Sequence, residues 1–387
     1  MTIKEIDNKY VAPTYARFPL CLVKGSGSLV YDENGKEYID LGTGIAVNTF
    51  GFSDPEWINA INDQLHKIQH TSNLYYSEPC ALLAKELCER TGFEQVFFSN
   101  SGAEANECAI KAARKYGEKF KGSEYTTIVT LTDSFHGRTL TTLAATGQDV
   151  FHNDFLPLTK GFVYAKANDI EDVKRLVGEN KCCAVMFETV QGEGGVLPLK
   201  KEFVTALKEL AIKEDLLLIA DEVQTGNGRT GELYGYMNFG ITPDIVSTAK
   251  GLAGGLPMGA TMLGAKVKNI LGAGMHGSTF GGNPICAAAA LNILSRIDDE
   301  LLAEVRKKSQ YIFEQLEGAD GVVSVSGMGL MIGIECTRPV GEIIEECQKN
   351  GVLVIKAKQK IRLLPALNID MKLLEKAVKV IKEACAK

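Results

Sequence analysis

Five segments of this chain set polar or reactive residues directly behind apolar runs, and each could supply part of one chemistry. Lys250 stands in STAKG (247–251), just past an apolar run, with few carboxylates near it in sequence. An amine there is unfavourable unless paired, or unless it is covalently engaged with a lowered pKa. The plain alternative is a lysine that snorkels from a strand end. Asp221 closes the run LLLIA and opens DEVQTG (221–226). A carboxylate in that position wants a partner. A protonated pyridinium nitrogen, a helix N-cap role or a salt bridge with Arg229 would each serve.

SNSGAEANE (99–107) opens a helical pattern. The N–H groups of Gly102 and Ala103, with the helix dipole behind them, would seat a phosphate. Ser101 as cap with Glu104 in a capping box explains the same residues without a ligand. In SFHGR (134–138), Phe135 would stack on a planar cofactor and Arg138 would hold a carboxylate through two parallel bonds. Core packing for Phe135 and a surface ion pair for Arg138 are the alternatives; His136 is read as structural. The fifth segment is ETVQGEGG (188–195).

Positioning these groups requires a sheet. The apolar runs Gln95–Phe98, Thr127–Leu131, Cys182–Phe187, Leu216–Ala220, Asp244–Val246 and Ala260–Leu263 alternate with helical patterns such as Glu104–Phe120 and Lys201–Lys213. That alternation predicts an α/β domain with a mainly parallel sheet. Ligands bind such sheets at the carboxyl ends of the strands, where the five segments lie. The flanks mix strands (Ser28–Asp32, Glu37–Leu41, Val322–Val325, Leu330–Glu335, Val352–Ile355) with helices (Asp298–Leu316, Gly341–Lys349, Met371–Lys382). The expected division is residues 51–290 as a large domain, with 1–50 and 291–387 forming a smaller α+β domain from both chain ends.

Composition excludes several classes. The net charge of −6 leaves no electrostatic footprint for nucleic acid. The uncharged stretch 251–265 is too short and Gly-rich to span a bilayer, and the N-terminus MTIKEIDNKY lacks a signal peptide's apolar region. A cytoplasmic protein is expected. Ten cysteines without a C-x-x-C, and five histidines without ligand spacing, argue for free thiols and against a metal site. GAGMHG (272–277) matches G-x-G-x-x-G but follows no strand, and neither a P-loop nor a G-x-S-x-G motif occurs.

Taken together, NSGAEANE, FHGR, QGEGG, DEVQTG, the lysine of STAKG and HGSTFGGNP (276–284) resemble the class III aminotransferases of the type I pyridoxal-phosphate fold, in that family's order and over nearly the whole chain. The resemblance implies Lys250 as the Schiff-base lysine and proton shuttle. It implies Asp221 on the pyridine nitrogen, Gln224 near the ring hydroxyl, Gly102 and Ala103 at the phosphate, and Phe135 over one ring face. Thr279 would reach the phosphate from a neighbouring subunit, so a homodimer with shared active sites is expected.

Within the family, TYARFP (14–19), GIAVN (44–48), HTSNLYY (70–76) and STFGGNP look like the acetylornithine aminotransferases. That likeness implies Arg138, with Ser278 and Tyr15, at the substrate. It also implies a switch: Glu193 neutralises Arg362 (in KIRLLP) for the amino donor and releases it to clasp a dicarboxylate. The expected reaction moves the terminal amino group of N2-acetyl-L-ornithine to 2-oxoglutarate, in arginine biosynthesis. Ornithine, succinylornithine, succinyldiaminopimelate and 4-aminobutyrate are the rival donors. An aminomutase, which needs no keto acid, is the rival of another class, and a cofactor-binding module without catalysis is a third reading. Thr189 stands where the family usually has Pro, Asn227 where it has Met, and GFSDP (51–55) replaces the common GH-x-HP turn. None of these removes a catalytic group.

Overall fold

The computed structural model describes residues 1–387. Its centre is a seven-stranded sheet of β1 (Gln95–Ser99), β2 (Thr127–Leu131), β3 (Phe162–Ala165), β4 (Cys182–Phe187), β5 (Leu217–Asp221), β6 (Ile245–Thr248) and β7 (Gly259–Leu263). The order across the sheet is β1-β7-β6-β5-β4-β2-β3. β7 runs antiparallel to its neighbours β1 and β6, and every other adjacent pair is parallel. Parallel strands are covered on both faces and so read as unbroken apolar runs; every residue of β4 and β5 is buried.

The six expected strands are present, with ends shifted by at most two residues. β3 was not expected. It is an edge strand with only Ala165 buried, so FVYA shows neither the apolar run of a central strand nor a clean alternation.

Helix α1 (Gly102–Phe120) leaves the carboxyl end of β1 and packs on β6 and β7. It starts two residues before the predicted Glu104. Ser101 caps it by accepting the Glu104 N–H at 3.2 Å, and the Glu104 carboxylate turns back to the Asn100 N–H at 2.8 Å. Small residues (Ala105, Ala109, Ala112, Ala113) line its buried face and let it lie close to the sheet.

Both chain ends meet in a second core. Strand Val352–Leu353 adds in parallel to Glu37–Asp40, completing a four-stranded sheet with Leu22–Ser26 and Leu29–Asp32. A further sheet orders β8 (Val322–Met328), β9 (Met331–Cys336), β11 (Lys360–Leu363) and β10 (Ile355–Ala357), antiparallel throughout. The single strand expected over Val352–Ile355 is thus two short ones that enter different sheets. Ile39 and Leu41 share their buried cluster with residues of β9, β11, α2 (Asp299–Leu316) and α3 (Met371–Ala386). A short helix over Ile3–Tyr10, absent from the sequence reading, buries no residue and rests on its Thr2–Glu5 capping box. No helix is long and apolar enough to cross a membrane.

Candidate active site

The five segments converge as the strand-end argument requires. A cavity of about 580 Å³ is lined by Asn100–Ala103 after β1, Phe135–Arg138 after β2, Glu188 after β4, Asp221 and Gln224 at the end of β5, and Ala249–Lys250 after β6.

Lys250 has a positive φ of 48°, a conformation that non-glycine residues adopt at a cost of about 1–3 kcal/mol and that clusters at functional sites. The turn is pinned from two directions. Asn227 donates to Thr248 Oγ1 at 3.1 Å and to the Ala249 carbonyl at 3.2 Å, and Thr49 Oγ1 donates to the Gly251 carbonyl at 2.8 Å. Asn227, one of the departures from the family pattern, therefore holds the lysine's turn. Desolvation brings the Lys250 ammonium below the usual lysine range; Glu193 opposes that shift and Arg362 adds to it.

Asp221 is 3% exposed, and three N–H donors hold its carboxylate. Oδ2 accepts from Asn106 Nδ2 and from His136 Nδ1, each at 2.7 Å, and Oδ1 accepts the Val223 N–H at 3.0 Å. Ser247 Oγ donates to Asn106 Oδ1 at 2.5 Å and so fixes the amide's orientation. Arg229 is not its partner: that guanidinium donates to the carbonyls of Leu330 and Pro365. His136, read as structural, holds Asp221. Burial pushes its imidazolium down, but the bond to Asp221 and that carboxylate's charge outweigh it and leave the pKa above the usual histidine value. A histidine 85 residues away in sequence gave no local sign of this contact.

These residues fit the pyridoxal phosphate that the resemblance implies. The N–H groups of Gly102 and Ala103 at the start of α1 have no backbone acceptor, and the helix cap uses neither. A Cβ at Gly102 would meet Val223 Cγ1 at 2.6 Å, so glycine is what lets the helix start approach the wall of the cavity. Asp221 lines the cavity as a carboxylate held by donors, which suits a protonated ring nitrogen. Phe135 lines the cavity and meets Phe151 edge-on at 5.9 Å between centroids.

Arg362 and Glu193 are brought together from β11 and the loop after β4. Arg362 Nη1 donates to Glu193 Oε1 at 2.6 Å and to Gln224 Oε1 at 3.1 Å. Gln224 Nε2 lies 3.4 Å from the same Glu193 oxygen, so the amide bridges the pair as well as lining the cavity. Burial alone would raise the Glu193 carboxyl; Arg362, then Lys250 and Gln224, hold it below the usual glutamate range.

Arg138 is exposed, forms no ion pair within the chain, and lies over the rings of Phe151 and Phe135 at 4.3 and 5.4 Å. Tyr15 also lines the cavity and is 72% exposed. Ser278 and Thr279 do not line it within one chain. They belong to a separate cavity with His70–Asn73, and Ser278 Oγ accepts from Asn100 Nδ2 at 3.0 Å.

Comparison with known proteins agrees with this geometry. A family model described as aminotransferase class-III matches residues 10–385. An acetylornithine aminotransferase of Haemophilus ducreyi is 49% identical over 381 residues, covering 98% of this chain and 97% of that protein. Among solved structures, an N-acetylornithine aminotransferase from Stenotrophomonas maltophilia superposes with a TM-score of 0.83 at 34% identity, over 99% of this chain and 98% of that one. An ornithine aminotransferase from Toxoplasma gondii, in which pyridoxal phosphate partly occupies the active site, reaches 0.94 at 29% identity, over 99% and 93%.

Proposed function

Because the chain belongs to the class III aminotransferases, we propose that it transfers the terminal amino group of N2-acetyl-L-ornithine to 2-oxoglutarate, giving N-acetyl-L-glutamate 5-semialdehyde and L-glutamate. It is a pyridoxal-phosphate-dependent enzyme of fold type I. When bound, the cofactor supplies an aldehyde that takes up the donor's amine and a conjugated ring that withdraws electrons from the carbon losing its proton.

The chain's own residues account for the rest. Lys250 Nζ, with a lowered pKa and set at the cavity wall, is the group that binds the cofactor and moves a proton on and off the substrate carbon. Asp221, steadied by Asn106 and His136, keeps a positive charge on the ring nitrogen favourable. Gly102 and Ala103 seat the phosphate, Phe135 covers a ring face, and Gln224 faces the ring hydroxyl while bridging Glu193 and Arg362. Arg138 takes the donor's α-carboxylate with Tyr15 beside the substrate, and Ser278 would reach the substrate from the neighbouring subunit, like Thr279.

One observation carries the choice of substrates. Arg138 lines the cavity and is free, while Arg362 lies behind the lining residue Gln224, to which it donates, and is masked by Glu193. A donor bound through one carboxylate needs only the first. A dicarboxylate acceptor needs both, and displacing Glu193 supplies the second without rebuilding the pocket. Thr279, beside the exposed Phe280, and the exposed run Leu74–Tyr76 support a homodimer in which Thr279 reaches the partner's phosphate seat, and a cytoplasmic location is part of the same proposal. Residues 1–50 and 291–387 are assigned to the small domain and 51–290 to the large one. Acetylation blocks the α-amine from cyclising onto the aldehyde product, which suits a step of arginine biosynthesis.

Free ornithine is the second reading, favoured by the higher backbone similarity to an ornithine aminotransferase; the higher sequence identity points to the acetylated donor. Steady-state kcat/KM with each donor separates them, and a higher value for ornithine overturns the acetylornithine assignment. Borohydride reduction and peptide mapping tests the mechanism: the pyridoxyl label is expected on Lys250, and a label elsewhere refutes it.

A further inference from the structure

Glu188 has no part in the chemistry above, yet it is 5% exposed in the wall of the Lys250 cavity. Burial drives its carboxyl up to about 7, with His136 drawing it back down. No lysine or arginine pairs with it. What it holds is backbone: Oε1 accepts the Phe135 N–H at 2.9 Å, and Oε2 accepts the Gly192 N–H at 3.3 Å. These two residues belong to loops that follow different strands, β2 and β4. Each stands next to a residue of the site, since Phe135 precedes His136 and Gly192 precedes Glu193.

The loop at Gly192 has little room to relax. A Cβ there would strike the Gln224 amide and would lie 2.7 Å from the Met331 methyl. Its carbonyl accepts the N–H groups of Gly195 and Val196, which close the loop into a tight turn. Glu193 is the next residue, so the Glu188–Gly192 bond sets where the Glu193 side chain starts from. On this reading of Arg362 as the acceptor's carboxylate handle, we propose that Glu188 is a positioning residue that anchors the Glu193 loop and biases Glu193 toward Arg362.

The test uses Glu188→Gln. An amide offers one acceptor oxygen in place of two, and its NH₂ then faces a backbone donor. The shorter bond, to Phe135, keeps the oxygen, and Gly192 is released. Glutarate, a five-carbon dicarboxylate, probes the holoenzyme by calorimetry, and each half-reaction is followed separately by absorbance. The expected result is glutarate binding about 3–10-fold tighter and donor kcat/KM reduced relative to acceptor kcat/KM. Glu193→Gln should tighten glutarate at least as much, and the double variant should add nothing to it, since the effect runs through Glu193.

If Glu193→Gln tightens glutarate and Glu188→Gln does not, or if Glu188→Gln lowers both half-reactions by one factor, the positioning role is refuted while the switch stands. If Glu193→Gln leaves glutarate binding unchanged, the switch reading itself fails. Should Glu188→Gln not fold, Glu188→Asp keeps the charge but shortens the reach, and the same direction is expected.

Discussion

Arg362 and Glu193 are joined at 2.6 Å, but they are buried unequally: the guanidinium side chain is 3% exposed and the carboxylate side chain 31%. Glu193 can therefore swing into solvent, whereas Arg362 cannot. A buried cation left without an anion is strongly unfavourable, so in the proposed switch departure of Glu193 would be coupled to arrival of another carboxylate. Replacing Arg362 with Met should lower acceptor kcat/KM by about 10²-fold or more, as expected when one partner of a buried charge pair is removed. The donor half-reaction should change far less. Single-turnover absorbance with each substrate measures the two separately, and an equal loss in both would contradict the assignment.

Asp221→Asn should slow both half-reactions by about 10²–10³-fold, the scale of removing one preorganised electrostatic group. It also removes the anion that keeps His136 above its usual pKa. The histidine's pKa should therefore fall, which histidine proton resonances followed against pH would detect.

The charges around Lys250 give a signed pH prediction. Glu193 raises its pKa and Arg362 lowers it. Uptake of pyridoxal phosphate by the apo protein needs the neutral amine, so its rate should rise with pH through an apparent pKa below that of a free lysine. Glu193→Gln should move that midpoint to lower pH and Arg362→Met to higher pH. Shifts in the same direction would refute the assignment.

Two glycine substitutions should have opposite signs. Gly178, in the helix Ile170–Glu179, has open space where a Cβ would go, so Gly178→Ala should stabilise by up to about 1 kcal/mol through helix propensity. Gly117 in α1 has the same propensity term, but its Cβ would land on the Tyr125 carbonyl oxygen and lie 2.7 Å from Cys183 Cβ. Gly117→Ala should therefore destabilise by about 1–3 kcal/mol. Urea midpoints for the two variants decide the matter.

The contrast between short-range and long-range determinants explains how much could be read in advance. Six of the seven central strands, the Ser101 cap, and the placing of Lys250 and Asp221 at strand ends follow from apolar runs and cap chemistry contained within a few neighbouring residues. β3 did not, because an edge strand that buries one residue in four lacks that pattern. The family motifs pointed to Glu193 and Arg362 as a pair, but their contact spans 169 residues and depends on how β11 registers beside β9 and over the loop after β4. His136 on Asp221, and Glu188 between Phe135 and Gly192, were beyond any local signal, since both arise where the ends of β2, β4 and β5 are laid side by side. Sequence determined which groups stand at which strand ends. Only the parallel stacking of those strands, with side chains desolvated between them, decided which groups touch and in which direction their charges move.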